Sequence, residues 1–192
     1  MTLLNLDDWP RSYPELGVPG LHLRALQASD AADWYDYLRQ EAVTLHTSWQ
    51  LDGPEDLLTL IRGYAQPGLS GGMRLAIAGQ DDRLIGTIGL NEIALAHRRA
   101  EIAYDIAPTH WRQGVATKAC GALADWALRT LGFARIQATV LDTNTVSAGV
   151  LERSRFHREG LLHNYRAVRG EPRHFWMYAR VWPLPSNLAD CG

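Results

Sequence analysis

His110-Trp-Arg-Gln-Gly-Val-Ala-Thr117 puts small residues where a backbone has to come close to a ligand. Gly114 lets the chain turn without a Cβ clash, and Ala116 leaves the first turn of the following helix open. The first N–H groups of such a helix have no partner within it, and the helix dipole adds partial positive charge there. The segment therefore suits an anion and could cradle a pyrophosphate through the backbone of Arg112, Gln113, Gly114, Val115, Ala116 and Thr117. It is not a Gly-x-Gly-x-x-Gly dinucleotide fingerprint, and no Gly-Lys-Ser/Thr follows to make a P-loop. A plain strand-to-helix connection would use the same glycine.

Other residues could do chemistry, each with a bland alternative. Glu101 lies on the strand leading into this segment and reads either as a base or water-orienting group, or as an exposed strand carboxylate. Ser147 reads from its position as an N-terminal cap of the short helix it lies in. Trp34, Trp49 and Tyr64 could line an acceptor, but aromatics on amphipathic helices are more often core. Arg98, Arg99, Arg166, Arg169 and Arg173 could meet phosphate or an acidic group, or simply form a solvated face. The seven histidines show no ligand spacing, so no metal site is expected.

The elements that must position these residues can be read from periodicity. Leu21 and Leu23 alternate with His22 and Arg24 as a first strand. Asp30 is expected to cap a helix over residues 31–39, and Asp52 with Pro54 to open a second carrying Leu57, Leu58, Ile61 and Tyr64, which Gly68 to Gly72 ends. Residues 74–78 and 84–90 read as a hairpin around Gln80-Asp81-Asp82, with Gly86 and Gly89 marking a bulge or a close contact. A strand over 100–107 leads to a strong helix over 115–131, with Val115, Ala119, Leu123 and Trp126 on one side and Gly132 as its stop. A strand over 135–141, a short helix over 146–153 and strands over 157–162 and 173–182 complete a mixed α/β order with no internal repeat. Residues 100–141 form the clear crossover unit, and ligands of open α/β sheets prefer the carboxyl ends of strands. That end is Ile106 to Thr117.

A chain of 192 residues suits a single domain, read as a lead-in over 1–19, a core over 20–182 and a tail over 183–192. The net charge of −2 argues against nucleic acid as a direct partner. No secretory signal or membrane span is evident, and Cys120 and Cys191 suit a reducing cytoplasm.

The spacing Trp111-x-x-Gly114-x-Ala116 resembles the Q/R-x-x-G-x-G/A signature of the GNAT superfamily of N-acetyltransferases, with Trp first and Ala last. Glu101-Ile-Ala-Tyr-Asp-Ile-Ala-Pro108 resembles that family's fourth strand, Asn144-Thr-Val-Ser147 its N-x-x-S segment, and Phe156-His-Arg-Glu-Gly160 the turn after its last short helix. Met177-Tyr-Ala-Arg180 is similar to the final strand of the branch that acetylates ribosomal-protein N-termini on alanine or serine. The resemblance runs from about residue 20 to 182. Two positions depart from the pattern: Arg155 stands where a glycine usually precedes Phe156, and Leu151 stands where many relatives carry an acid tyrosine.

The resemblance implies a mostly antiparallel sheet of about seven strands flanked by about four helices and splayed between the fourth and fifth strands. It implies acetyl-CoA as co-substrate, no metal, and a primary amine as acceptor, attacked directly in a ternary complex. The backbone at Ile106 and Ala107 would face the acyl oxygen, Asn144 would bind the pantetheine arm or a water, and Ser147 would stand by the leaving sulfur. The acceptor is expected to be a protein N-terminus, with a small amine such as a polyamine, an amino acid or an antibiotic as alternative. A non-catalytic acyl-CoA sensor is the reading from another class. A homodimer is the expected assembly, and loops 40–52 and 163–172 are expected to shape acceptor choice.

Overall fold

A computed structural model describes residues 12–46, 51–65 and 72–182. Trp49, Gly68 to Gly71, Cys191 and most of the expected lead-in and tail lie outside these. The described strands are β1 (His22–Ala25), β2 (Met73–Ala78), β3 (Leu84–Ala94), β4 (Arg99–Ile106), β5 (Arg135–Leu141), β6 (His157–Val168) and β7 (Glu171–Val181). The helices are α1 (Asp30–Leu38), α2 (Glu41–Thr44), α3 (Pro54–Tyr64), α4 (Val115–Arg129) and α5 (Thr145–Arg153). The one-turn α2, with no buried residue to announce it, makes five helices among the described residues against four expected.

The seven strands form one sheet in the order β1-β2-β3-β4-β5-β7-β6. Every neighbouring pair is antiparallel except β4 and β5, which are joined by the crossover helix α4. That parallel pairing is short: it runs from Arg99 opposite Arg135 to Glu101 opposite Gln137 and goes no further. Beyond it the two strands diverge, and this is the expected splay.

Each face of the sheet carries its own apolar layer. On one, Val115, Ala119, Leu123 and Ala127 of α4 cover Ile88, Ile102 and Ile136, all buried. Trp126 is only partly buried and meets Tyr13 of the lead-in edge-on at 6.5 Å. On the other, Trp34 and Leu38 of α1 pack with Leu57 and Ile61 of α3 over Ala76 and Leu84. Burying a side chain of this size is worth about 1.5–3 kcal/mol, so the two layers fix the sheet rigidly between the helices.

Several local readings change. Asp30 is the first residue of α1 and does not cap it; its carboxylate is buried and receives two hydrogen bonds from Arg24 and one from the Gln27 amide. Arg24 is the stronger attraction, because a bidentate guanidinium binds a carboxylate better than a helix end does. The segment 163–172 is not a loop: β6 and β7 run on to Val168 and Glu171 as the arms of a hairpin. Gly86 marks both a close approach and an irregularity: a Cβ there would lie 2.7 Å from the Asp105 carbonyl on β4, and the register with β2 shifts beside it, from Ile77 opposite Gly86 to Ala78 opposite Leu84.

Candidate active site

The divergence of β4 from β5 builds the site. Backbone groups on an antiparallel strand alternate between its two edges. The Ala107 amide donates to the Ile85 carbonyl at 2.8 Å, which turns Asp105 and Ala107 toward β3 and turns Tyr104 and Ile106 toward β5. Because pairing with β5 stops at Glu101, the Tyr104 and Ile106 peptide groups line an open edge. The Ile106 carbonyl is taken by the Trp111 indole at 2.7 Å, which leaves its N–H for the cleft. Ala107 presents no such group: its amide goes to Ile85, and its carbonyl accepts from the His110 amide at 2.9 Å.

A parallel pair brings both strand ends to one side, so α4 and α5 start beside the same opening. At α4 the N-cap is Gly114 with φ 77°, a left-handed conformation that costs little only for glycine, and no side chain caps the helix. The amides of Val115, Ala116 and Thr117 therefore remain available to an anion, while the Val115 side chain is buried in the core. A Cβ at Gly114 would meet nothing within 4 Å, so the space before the helix is open. Arg112 is exposed with φ 61°, and the Gln113 side-chain Nε2 donates to the Thr109 carbonyl at 3.0 Å. Open space and orphan amides fit a pyrophosphate, and the unpaired strand edge fits a pantetheine arm.

At α5 the cap is Asn144, whose Oδ1 accepts from the Ser147 amide at 3.0 Å. Ser147 is therefore the capped residue and not the cap, and its hydroxyl is left for other work. That hydroxyl lies 2.9 Å from the Tyr104 hydroxyl. Burial, and after it the nearby Cys120, push the Tyr104 phenol well above its ordinary value. Leu151 is fully buried in the core, so α5 supplies no phenol from that position.

Glu101 is buried at 5% exposure, which removes the reading as an exposed strand carboxylate. It accepts from Thr139 Oγ1 at 2.8 Å and from Arg166 at 3.2 Å. Arg166, on the β6 arm, also reaches Glu92 at 3.1 Å; it stays exposed to solvent, as expected, while pairing with both carboxylates. Alternation along β4 places Glu101 and Tyr104 on opposite faces of the sheet.

The sequence reading missed a buried cluster at the end of β4. Asp105 receives Tyr37 Oη at 2.5 Å, Trp34 Nε1 at 3.2 Å and Thr87 Oγ1 at 2.9 Å, and pairs with Arg74. Burial first, and the Asp105 charge second, hold the Tyr37 phenol far up. These contacts come from α1, β2 and β3, and only the lone aspartate in an apolar strand hinted at them. Trp34 is thus core, with its indole N–H satisfied.

With this geometry in view, comparison with known proteins is decisive for the class. A profile described as an acetyltransferase (GNAT) domain matches residues 20–157, and the chain belongs to this family. It is 32% identical over 174 residues to the uncharacterized N-acetyltransferase YoaA of Bacillus subtilis (strain 168), covering 89% of this chain and 98% of that one. The chain is an N-acetyltransferase with acetyl-CoA as its co-substrate.

Two solved structures share the fold at low identity. The ribosomal-protein-S5-alanine acetyltransferase of Vibrio fischeri superposes with a TM-score of 0.77 at 17% identity, over 85% of this chain and 94% of that one. The microcin C7 self-immunity acetyltransferase MccE, in complex with acetyl-CoA and AMP, also gives 0.77, at 18% identity over 85% and 93%. No described helix is long and apolar enough to cross a membrane, and no described residues group as a metal site.

Proposed function

We propose that the chain acetylates a primary amine that is largely uncharged near neutrality, the α-amine of a protein N-terminus, by direct attack in a ternary complex. The observation that carries this is the state of Glu101: buried, and with its oxygens occupied by Thr139 and Arg166. Deprotonating an α-amine at pH 7 costs about 1 kcal/mol, against about 4.6 kcal/mol for a lysine. A site whose candidate base is already engaged suits the first. The fold shared with a ribosomal-protein-alanine acetyltransferase supports the same choice.

The coenzyme supplies the activated acetyl thioester. The amides of Val115, Ala116 and Thr117 hold its pyrophosphate, and the Ile106 N–H faces the acyl oxygen, where a preorganised donor counts most in the transition state. Glu101 orients the amine or a water from one face of β4. Ser147 donates a hydrogen bond to the departing sulfur from the other, and Asn144 holds the Ser147 backbone in place. This reading keeps the protein in the cytoplasm, in line with the unpaired, buried Cys120.

The test is the pH profile of kcat/KM for a peptide N-terminus and for an N-blocked, lysine-containing peptide of the same sequence. The first should rise and level off around pH 8, near the acceptor's own pKa, with Glu101→Gln costing little. Faster acetylation of the lysine peptide at pH 7, or collapse of the profile in Glu101→Gln, would mean that a true base operates here.

A further inference from the structure

The family resemblance leaves a gap at Leu151, where an acid tyrosine is common, and the structure places a phenol close by from another element. Tyr104 comes from β4, on one side of the splay, and Ser147 from the first turn of α5, on the other. We propose that Tyr104 is a positioning residue that donates its hydroxyl hydrogen to Ser147 Oγ and so turns the Ser147 proton toward the departing sulfur. This rests on the reading of Ser147 as hydroxyl donor to the thiolate.

Either hydroxyl could donate in the 2.9 Å contact, and the distances favour the phenol as donor. A phenol has one hydrogen, and two acceptors lie within its reach: Ser147 Oγ at 2.9 Å and the Ser147 carbonyl at 3.3 Å. The shorter contact is the better hydrogen bond for a hydroxyl donor. With the Ser147 amide already held by Asn144, the backbone cannot swing to favour the carbonyl. Once Oγ accepts from Tyr104, its own hydrogen is free to point elsewhere.

The titratable groups felt by the phenol are the Cys120 thiol of α4 and Arg153 of α5. Burial holds both phenol and thiol protonated at working pH, so Tyr104 stays a donor throughout and is not a proton source. The reaction balances without it. The C–N bond forms, the C–S bond breaks, the amine gives one proton to solvent, and the sulfur takes one up. Ser147 and Tyr104 both end the cycle as they began it.

Three variants test this: Tyr104→Phe, Ser147→Ala and the double replacement, assayed for acetyl transfer to a peptide N-terminus. Tyr104→Phe keeps the ring and removes only the hydroxyl, so folding is preserved and Tm monitors it. Its kcat should fall about tenfold, the scale of one neutral hydrogen bond, with KM for acetyl-CoA unchanged. Ser147→Ala should fall further, by roughly 10²–10⁴-fold, and the double variant should be no slower than Ser147→Ala.

A second readout needs no turnover. In ligand-free protein labelled with 13Cζ-tyrosine, the resonance that vanishes in Tyr104→Phe should shift in Ser147→Ala. Normal turnover in Ser147→Ala would remove the reading of Ser147 and this proposal with it. A slow Ser147→Ala beside a normal Tyr104→Phe, additive losses in the double variant, or an unmoved resonance would overturn the role of Tyr104 and leave Ser147 standing.

Discussion

The Trp111 indole nitrogen donates to the Ile106 carbonyl at 2.7 Å, tying the loop that receives the coenzyme phosphates to the last residue of β4. The same residue carries the N–H that faces the cleft, so movement of the loop is coupled to the donor. Trp111 stands where the family signature has Gln or Arg, and the residue is 43% exposed, so its contribution is this tether more than core packing. Trp111→Phe should lower kcat about five- to tenfold, as expected for one lost hydrogen bond that holds the donor in place. Affinity for CoA by calorimetry should stay nearly constant. Weaker CoA binding with an unchanged kcat would make Trp111 a coenzyme contact instead.

Gly114 offers a sharper test of the phosphate site. A valine there fills open space but also forces a β-branched residue to φ 77°, so it disturbs the helix start as well as the ligand. Gly114→Ala separates the two effects, since its smaller side chain carries a backbone cost of about 1–2 kcal/mol and meets no atom within 4 Å. We expect Gly114→Ala to lose some stability and to bind CoA more weakly, and Gly114→Val to abolish binding. Calorimetry on the folded variants checks this. Unchanged CoA affinity in both would remove the site from the α4 N-terminus.

The contrast between these residues shows what a sequence can disclose. Gly114, Ala116 and the helix behind them were legible because a glycine before an amphipathic run is a local signal, and the crossover unit around them follows from strand and helix periods alone. Ser147 and Asn144 were found, but their roles were only partly separable, since either side chain could have capped α5. Tyr104 and Asp105 were invisible as functional residues. Their partners, Ser147 and the group of Trp34, Tyr37, Arg74 and Thr87, lie 18 to 71 positions away in sequence, and no local pattern predicts such meetings. The partners of Arg166 were hidden for a related reason: a long hairpin arm carries this exposed residue back over Glu101 and Glu92.

Arg155 is a departure that the sequence flagged and the structure explains. It ends α5 with φ 65°, while the Phe156 amide closes back on the Leu151 carbonyl at 3.0 Å. That closure needs a left-handed residue, which glycine supplies freely and arginine does at a cost of about 1–2 kcal/mol. Its side chain is exposed, so replacing it sacrifices little contact. Arg155→Gly should raise stability by about 0.5–1 kcal/mol after the greater freedom of glycine in the unfolded chain is deducted. Urea denaturation measures the difference, and a destabilised variant would show that the arginine makes up for its backbone.

Alkaline pH should weaken the fold in two stages, beginning with Cys120. Burial pushes this thiol up to about 12, whereas in an unfolded chain it titrates near 8.5. Between those values the unfolded state has lost its proton and the folded state has kept it, so folding stability falls as pH rises. The contribution is whole below about pH 8.5 and shrinks by at most about 1.4 kcal/mol per pH unit above it. Tyr104 and Tyr37, both raised chiefly by burial, add to the slope only once unfolded phenols titrate, above about pH 10. Cys120→Ala should therefore flatten the loss between pH 8.5 and 10 while leaving the steeper fall beyond it, whatever its effect on stability at pH 7. The measurement is the urea midpoint at half-unit steps from pH 7 to 11. Parallel curves for the wild type and Cys120→Ala over the first interval would show that the thiol ionises as readily in the folded protein as in the unfolded one.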